Sequence, residues 1–169
     1  MSERKTVRKW IWVWDFDKEE VWLNEMAMNG WLLESVGWCT YHFVRCEPGE
    51  YNIRLEMRPY DEDYISFMEE TGAEFIGRMM MWCYFRKKTA DGPFDLFSDI
   101  DSRIRHLERI CRMLAILGGM NLVVGVVNSF NAVGRIGWIN LVVATVLMYA
   151  LGRIHGKKEA LERERQLHE

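Results

Sequence analysis

Charge is missing from the sequence between Met113 and Val133, and it is missing again from Ile136 to Leu151. A helix needs about 20 apolar residues to cross the hydrocarbon core of a bilayer. The absence therefore excludes an ordinary solvated surface for this stretch and predicts two transmembrane helices joined by a tight turn at Gly134, Arg135 and Gly137. Other absences remove whole classes of chemistry. Cys39 and Cys46 lack the CxxC pairs of a zinc site and read as buried thiols. His42 has no Ser or Cys motif beside it and reads as structural. No His or third carboxylate stands at ligand spacing from Asp15 and Asp17, which read as a strand end and a helix cap. Gly118-Gly119 and Gly125 lie inside a predicted span and lack the strand–turn–helix context of a phosphate loop. Met79-Met80-Met81 reads as adaptable packing rather than a metal site. The expected tally is no catalytic residue, no metal and no cofactor. Internal repeats and low-complexity tracts are not visible either. Ser2–Arg8 is polar and runs straight into a Trp-rich stretch, unlike a secretory leader, so the N-terminal part is expected to stay in the cytosol with reduced thiols.

What is present divides into a head and a hairpin. Met1–Phe97 carries 12 Lys/Arg against 18 Asp/Glu, a net −6, and Ser98–Glu169 carries 10 against 7, a net +3. An acidic head argues against direct nucleic-acid binding. Thr6–Phe16 reads as a strand, with Trp10, Trp12 and Trp14 on one face and Ile11 and Val13 on the other. Asp17 and Glu20 open a helix whose buried stripe is Trp22, Leu23, Met26 and Ala27, closed by Gly30. Trp31–Cys46 is extended, either as one strand bulged at Gly37, the favoured reading, or as two strands turning there. Tyr51–Arg58 alternates cleanly: Tyr51, Ile53, Leu55 and Met57 inward, Asn52, Arg54, Glu56 and Arg58 outward. Asp61-Glu62-Asp63 opens a second helix with an apolar side of Tyr64, Ile65, Phe67 and Met68, ended by Gly72. Glu74–Arg86 reads as the last strand. The order β-α-β-β-α-β predicts an α+β, ferredoxin-like (split βαβ) head over 1–93, with its first and last strands adjacent. A juxtamembrane helix over 94–112, capped by Ser98 with Asp101, should run unbroken into a transmembrane hairpin over 113–153. The charged tail 154–169 should be a solvated helix or disordered.

With these elements placed, the chain resembles the DUF2812 family of uncharacterised bacterial membrane proteins over roughly Val7–Arg103. The resemblance rests on Trp14-Asp15-Phe16-Asp17-Lys18-Glu19-Glu20, on Trp22-Leu23-Asn24-Glu25-Met26 through Gly30-Trp31, and on Cys46-Glu47-Pro48-Gly49-Glu50-Tyr51 with Arg54-Leu55. Phe67-Met68-Glu69-Glu70-Thr71-Gly72 and Leu96-Phe97-Ser98-Asp99-Ile100-Asp101-Ser102-Arg103 complete it. It implies a cytosolic domain followed by transmembrane helices, in genes often found beside PadR-type regulators. It implies no activity and no catalytic residues.

Two surfaces remain to be explained. Gly118, Asn121, Gly125 and Asn128 share a stripe of the first span, and Asn140 and Ala144 share a face of the second with Leu147 and Leu151. Small residues permit close helix approach and each membrane Asn needs a partner, so these positions are expected to pack the hairpin on itself. In the head, Trp10, Trp12, Trp14, Met80, Trp82 and Tyr84 are expected to form one apolar face on adjacent strands. Its expected occupant is a second head, giving a dimer; the other candidates are a membrane protein such as a transporter, a PadR-like regulator, or the juxtamembrane helix through Ile100, Ile104 and Leu107. The overall expectation is a non-enzymatic, membrane-anchored interaction or sensory module. The alternatives are a small-molecule-binding domain or cryptic enzyme on the aromatic face, and a structural or pore-like oligomer of hairpins. Arg103, Arg105, Arg109 and Arg112 before the first span and Arg153, Lys157 and Lys158 after the second, against Arg135 alone in the loop, place both termini in the cytosol of a bacterial cell.

Overall fold

A computed structural model describes residues 3–97, 99–130 and 134–168, with the backbone alone for 134–136 and 168. The head is built twice from one plan. A strand, a helix and a strand pair form β1 (Arg4–Arg8), α1 (Phe16–Met28), β2 (Trp31–Gly37) and β3 (Thr40–Arg45). The plan recurs as β4 (Tyr51–Met57), α2 (Glu62–Glu70), β5 (Ala73–Met79) and β6 (Trp82–Lys88). Each half makes a three-stranded antiparallel sheet, in the orders β1-β3-β2 and β4-β6-β5. The ferredoxin-like sheet of four strands is therefore corrected to two sheets of three, and the expectation of no repeat is corrected at the level of structure. Even irregularities recur. The pairing slips between Leu33 and Ser35 in β2 and between Phe75 and Gly77 in β5, and Gly30 and Gly72 follow the helices at φ 77 and φ 84.

The two extra strands arise from turns without turn residues. Trp38-Cys39 joins β2 to β3 and Met80-Met81 joins β5 to β6, with Cys39 at φ 51 and Met80 at φ 55. Positive φ is uncommon outside glycine and asparagine, so an apolar run through Met79–Trp82 reads as unbroken strand when it is a hairpin. Trp31–Cys46 is likewise two strands, turning after Gly37 rather than bulging there. The first strand is shorter than Thr6–Phe16 for a different reason. Arg8 is opposite Thr40, the first residue of β3, and Lys9 N–H donates to Cys39 O at 3.0 Å. Beyond that rung β3 offers no backbone to pair with, and the chain passes through a 3-10 turn, Val13–Asp15, into α1.

The core takes Leu23 and Ala27 from α1, Leu33, Tyr41 and Phe43 from the first sheet, and Ile53, Leu55, Met57, Tyr84 and Phe85 from the second. Phe94 and Leu96 pack beside Met68, Ala73, Cys83 and Phe85. Glu56 does not face out as its alternation suggests: it is buried, accepts from Tyr64 Oη at 2.9 Å and lies 3.8 Å from Arg58. Phe67, expected on the apolar side of α2, is exposed. Leu33 O accepts from Arg86, whose cross-strand partner is Glu74, and Val36 packs near Gly77. These contacts put β2 and β5 side by side and running the same way, so both hairpin turns come at one end of the head.

The second unit is a helical hairpin. α3 (Ile100–Ser129) is one unbroken helix, and α4 (Gly134–His168) includes the charged tail, which is helical. Ser98 lies outside the described residues; Asp99 caps α3, accepting from Ser102 N–H at 2.6 Å in a capping box. The two helices run antiparallel. Gly118 sits against Leu147 and Met148, Gly125 against Leu141, and Gly137 against Ser129, while Asp101 meets Arg165 at 2.8 Å near the other end. The seam steps by alternate threes and fours, through 107, 111, 114, 118, 121, 125 and 128 on α3 and 137, 140, 144, 147, 151, 154 and 158 on α4, the spacing of a left-handed coiled coil.

Candidate functional site

The end of the head that carries both hairpin turns is also where β1 hands over to α1. Three uncharged tips meet there: 10–14, 37–40 and 79–82. Trp10 packs edge-on to Trp12 at 5.4 Å and to Trp38 at 6.4 Å, and Trp12 stacks on Trp14 at 4.8 Å with an interplanar angle of 9°. Phe16, two residues further on, lies 5.3 Å from Trp82 at the foot of the β5–β6 turn. The result is a Trp–Met cap whose outer residues are exposed: Trp10 58%, Trp12 45%, Trp38 67% and Met80 73%. Aromatic pairs of this geometry contribute about 0.5–1.5 kcal/mol beyond burial, which orders the rings without hiding them.

The face expected from sequence is therefore only partly assembled. Trp10, Trp12 and Met80 are exposed, and Trp14 is half-buried in the stack. Trp82 and Tyr84 instead belong to the core, because β6 is the central strand of its sheet. Trp38 and Met81 were missed; a bulky aromatic between Gly37 and a break in alternation was the available signal.

A second constellation lies inside the head. Glu19, in the first turn of α1, is buried and accepts hydrogen bonds on Oε1 from Tyr41 Oη at 2.8 Å and Tyr84 Oη at 2.7 Å. Burial pushes the Glu19 carboxyl above the usual range, and the hydrogen bonds from Tyr84 and Tyr41 together with the Lys9 charge oppose this only in part. Both tyrosines are driven upward, by burial first and by the Glu19 charge second. Tyr64 is pushed up to about 12 by burial and by Glu56. One tyrosine comes from each sheet, so Glu19 ties the two halves together through α1. Two further side chains of α1 reach β4. Asn24 accepts from Ile53 N–H at 2.9 Å and donates to Ile53 O at 2.9 Å, and Glu20 accepts from Leu55 N–H at 3.3 Å. They satisfy a strand edge that would otherwise invite pairing with another chain.

The remaining candidates take quiet positions. Asp15 pairs with Lys18 at 2.7 Å. His42 Nδ1 lies 3.0 Å from Thr6 Oγ1. Cys39 and Cys46 are half-buried rather than buried, and Cys83 is the buried thiol of the head. Among the described residues no group of three His, Cys, Asp or Glu side chains stands where it could hold a metal ion. On the hairpin, Gly118, Gly125 and Ala144 are buried in the seam, with Asn121, Asn128 and Asn140 half-buried along it. Asn121 donates to Leu117 O of its own helix at 2.8 Å.

The model of a family described as "Protein of unknown function (DUF2812)" matches residues 15–118. The chain belongs to the DUF2812 family. The match begins at the N-terminus of α1 and ends at Gly118, so DUF2812 takes in the head beyond the first Trp tip together with α3 as far as Gly118. Trp10, Trp12 and Trp14 precede it; Glu19, Trp38, Tyr41, Met80, Met81 and Tyr84 lie within it. No curated protein and no solved structure matches the chain.

Proposed function

We propose that this DUF2812 protein is a non-enzymatic, membrane-anchored interaction or sensory module, held by the α3–α4 hairpin in the cytoplasmic membrane of a bacterial cell and presenting the Trp–Met cap of its head as the contact surface. The observation that carries the reading is the outer surface of the hairpin. Both helices are long and apolar enough to cross a membrane. The residues turned away from the seam are Ile116, Leu117, Met120, Val123, Val127, Trp138, Ile139, Val142 and Val146, all exposed. A helix pair folded for water places polar residues on those positions; a pair folded for lipid places apolar ones there and keeps small residues in the seam. Ile100–Arg112, at about 1.5 Å per residue, makes a polar stalk of roughly 20 Å below the apolar zone. The excess of Arg and Lys at that end supports cytosolic termini.

The reading is tested in cells by single cysteines in a chain whose own cysteines are replaced. Ser129→Cys should react with an impermeant maleimide from outside, and Lys88→Cys should react only after lysis. Labelling of residue 88 and not 129 in intact cells reverses the orientation. Recovery of the whole chain as a monodisperse species without detergent removes the membrane anchor altogether.

A further inference from the structure

We propose that the Trp–Met cap docks on the lipid bilayer itself, inserting its three tips at the headgroup level of the membrane that the hairpin spans; the inference rests on the membrane reading of α3–α4 given above. The chemistry of the tips selects this occupant over a second head. Segments 10–14, 37–40 and 79–82 contain no charged residue, so the tips can enter the interface without desolvating a charge. Cationic residues stand directly behind two of them: Arg8 and Lys9 before Trp10, and Arg78 before Met79. The nearest carboxylate, Asp15, is held by Lys18. The exposed side chains of the cap, those of Trp10, Trp12, Trp38, Met80 and Met81, offer thioethers and indole N–H groups, and an indole is a donor only. Two such caps placed face to face offer the indole N–H groups no side-chain acceptor stronger than a thioether sulfur. A headgroup layer of phosphate and ester oxygens offers acceptors, and tryptophan is enriched at that depth for this reason. Tethering the head to the bilayer also makes contact with lipid an intramolecular event.

The test uses the full chain labelled with 5-fluorotryptophan, in nanodiscs of equimolar phosphatidylcholine and phosphatidylglycerol. A fraction of the lipid carries a nitroxide at the top of its acyl chain. Single Trp→Phe replacements assign the eight fluorine resonances. Nitroxide lipid should broaden Trp10, Trp12 and Trp38 several-fold more than the buried Trp82, with Trp138 on the outer face of α4 broadened as the membrane control. Met80→Asp places a charge on a tip, at a positive-φ position that Asp accepts. It should cut the broadening of Trp38 several-fold and leave Trp138 unchanged. Broadening of Trp138 with a sharp cap overturns the docking while sparing the membrane anchor. A sharp Trp138 overturns both. Cap resonances that escape nitroxide lipid yet are shielded from a water-soluble gadolinium chelate place protein on the cap, a second head included, and overturn the proposal. Unchanged broadening in Met80→Asp overturns it as well.

Discussion

Replacing Glu19 tests how the two halves of the head are joined. Its Oε1 receives both Tyr41 and Tyr84 hydroxyls, at 2.8 and 2.7 Å. Glu19→Ala removes that acceptor and leaves both hydroxyls inside the head, at about 1–2 kcal/mol each. A loss of roughly 2–4 kcal/mol should lower the Tm of a head of this size by about 10–25 °C. Glu19→Gln keeps an oxygen in place and removes the charge, so its loss should be well under half as large. The two variants also differ in pH dependence. Burial raises the folded-state pKa of Glu19 above 4.5, so from there upward the folded head holds a proton that the unfolded chain has released. Stability from this group falls as pH rises through that window, and the Gln variant has no such proton. The advantage of the wild type over Glu19→Gln should therefore shrink as pH rises above the ordinary carboxyl range. The assay is thermal unfolding of the full chain in detergent, followed by near-ultraviolet circular dichroism of the head aromatics. An unchanged Tm in Glu19→Ala refutes the tie, and an advantage that grows with pH refutes the direction of the shift.

The edge of β4 gives a second prediction. Asn24→Ala strips both hydrogen bonds from Ile53 and should cost about 1–3 kcal/mol, with concentration-dependent association of the protein in light scattering; a Tm and mass equal to the parent's would show that the edge needs no cover. In the hairpin, a methyl on Gly137 would meet Ser129 N at 2.7 Å and Gly125 O at 2.9 Å, whereas Gly119 has open space. Gly137→Ala should thus destabilise the hairpin by about 1–3 kcal/mol and Gly119→Ala should not, read as the denaturant dependence of a fluorine label at Trp138. Equal effects would show that the seam is not the packing interface.

Legibility followed the range of the interactions involved. The inward positions Ile53, Leu55 and Met57, the acidic opening of α2, Gly30 and Gly72 as helix stops and the charge-free hairpin are local patterns, and each stands where its pattern points. Glu56, by contrast, breaks the alternation around it. The hairpin turns were opaque because Cys39 and Met80 adopt positive φ in residue types that rarely do. Missing two turns turned six strands into four and hid the repeat, since the halves share topology and not residues. Glu19 was opaque for another reason. In sequence it is an acid in the first turn of a helix, where acids are expected on electrostatic grounds. Its burial depends on tyrosines 22 and 65 residues away, which no local pattern reports.

The repeat is unequal, and the inequality separates stability from contact. α1 reaches beyond its own half, with Glu19 meeting Tyr84 and with Asn24 and Glu20 covering the edge of β4. α2 shows a local tie instead, Tyr64 to Glu56 within its own half. The first half therefore supplies the clamp that makes two small sheets one core, which neither sheet of three short strands would sustain alone. It also supplies most of the cap, Trp10, Trp12 and Trp38, but from residues that the clamp does not use. The DUF2812 match begins with the clamp helix and leaves Trp10 and Trp12 outside. Exposed rings packed on one another matter less to folding than the buried Glu19. Substitutions at Trp10, Trp12 or Trp38 should accordingly cost about 0.5–1.5 kcal/mol for each aromatic pair they break, and a loss of function in a variant that still folds belongs to the surface the cap touches rather than to the fold beneath it.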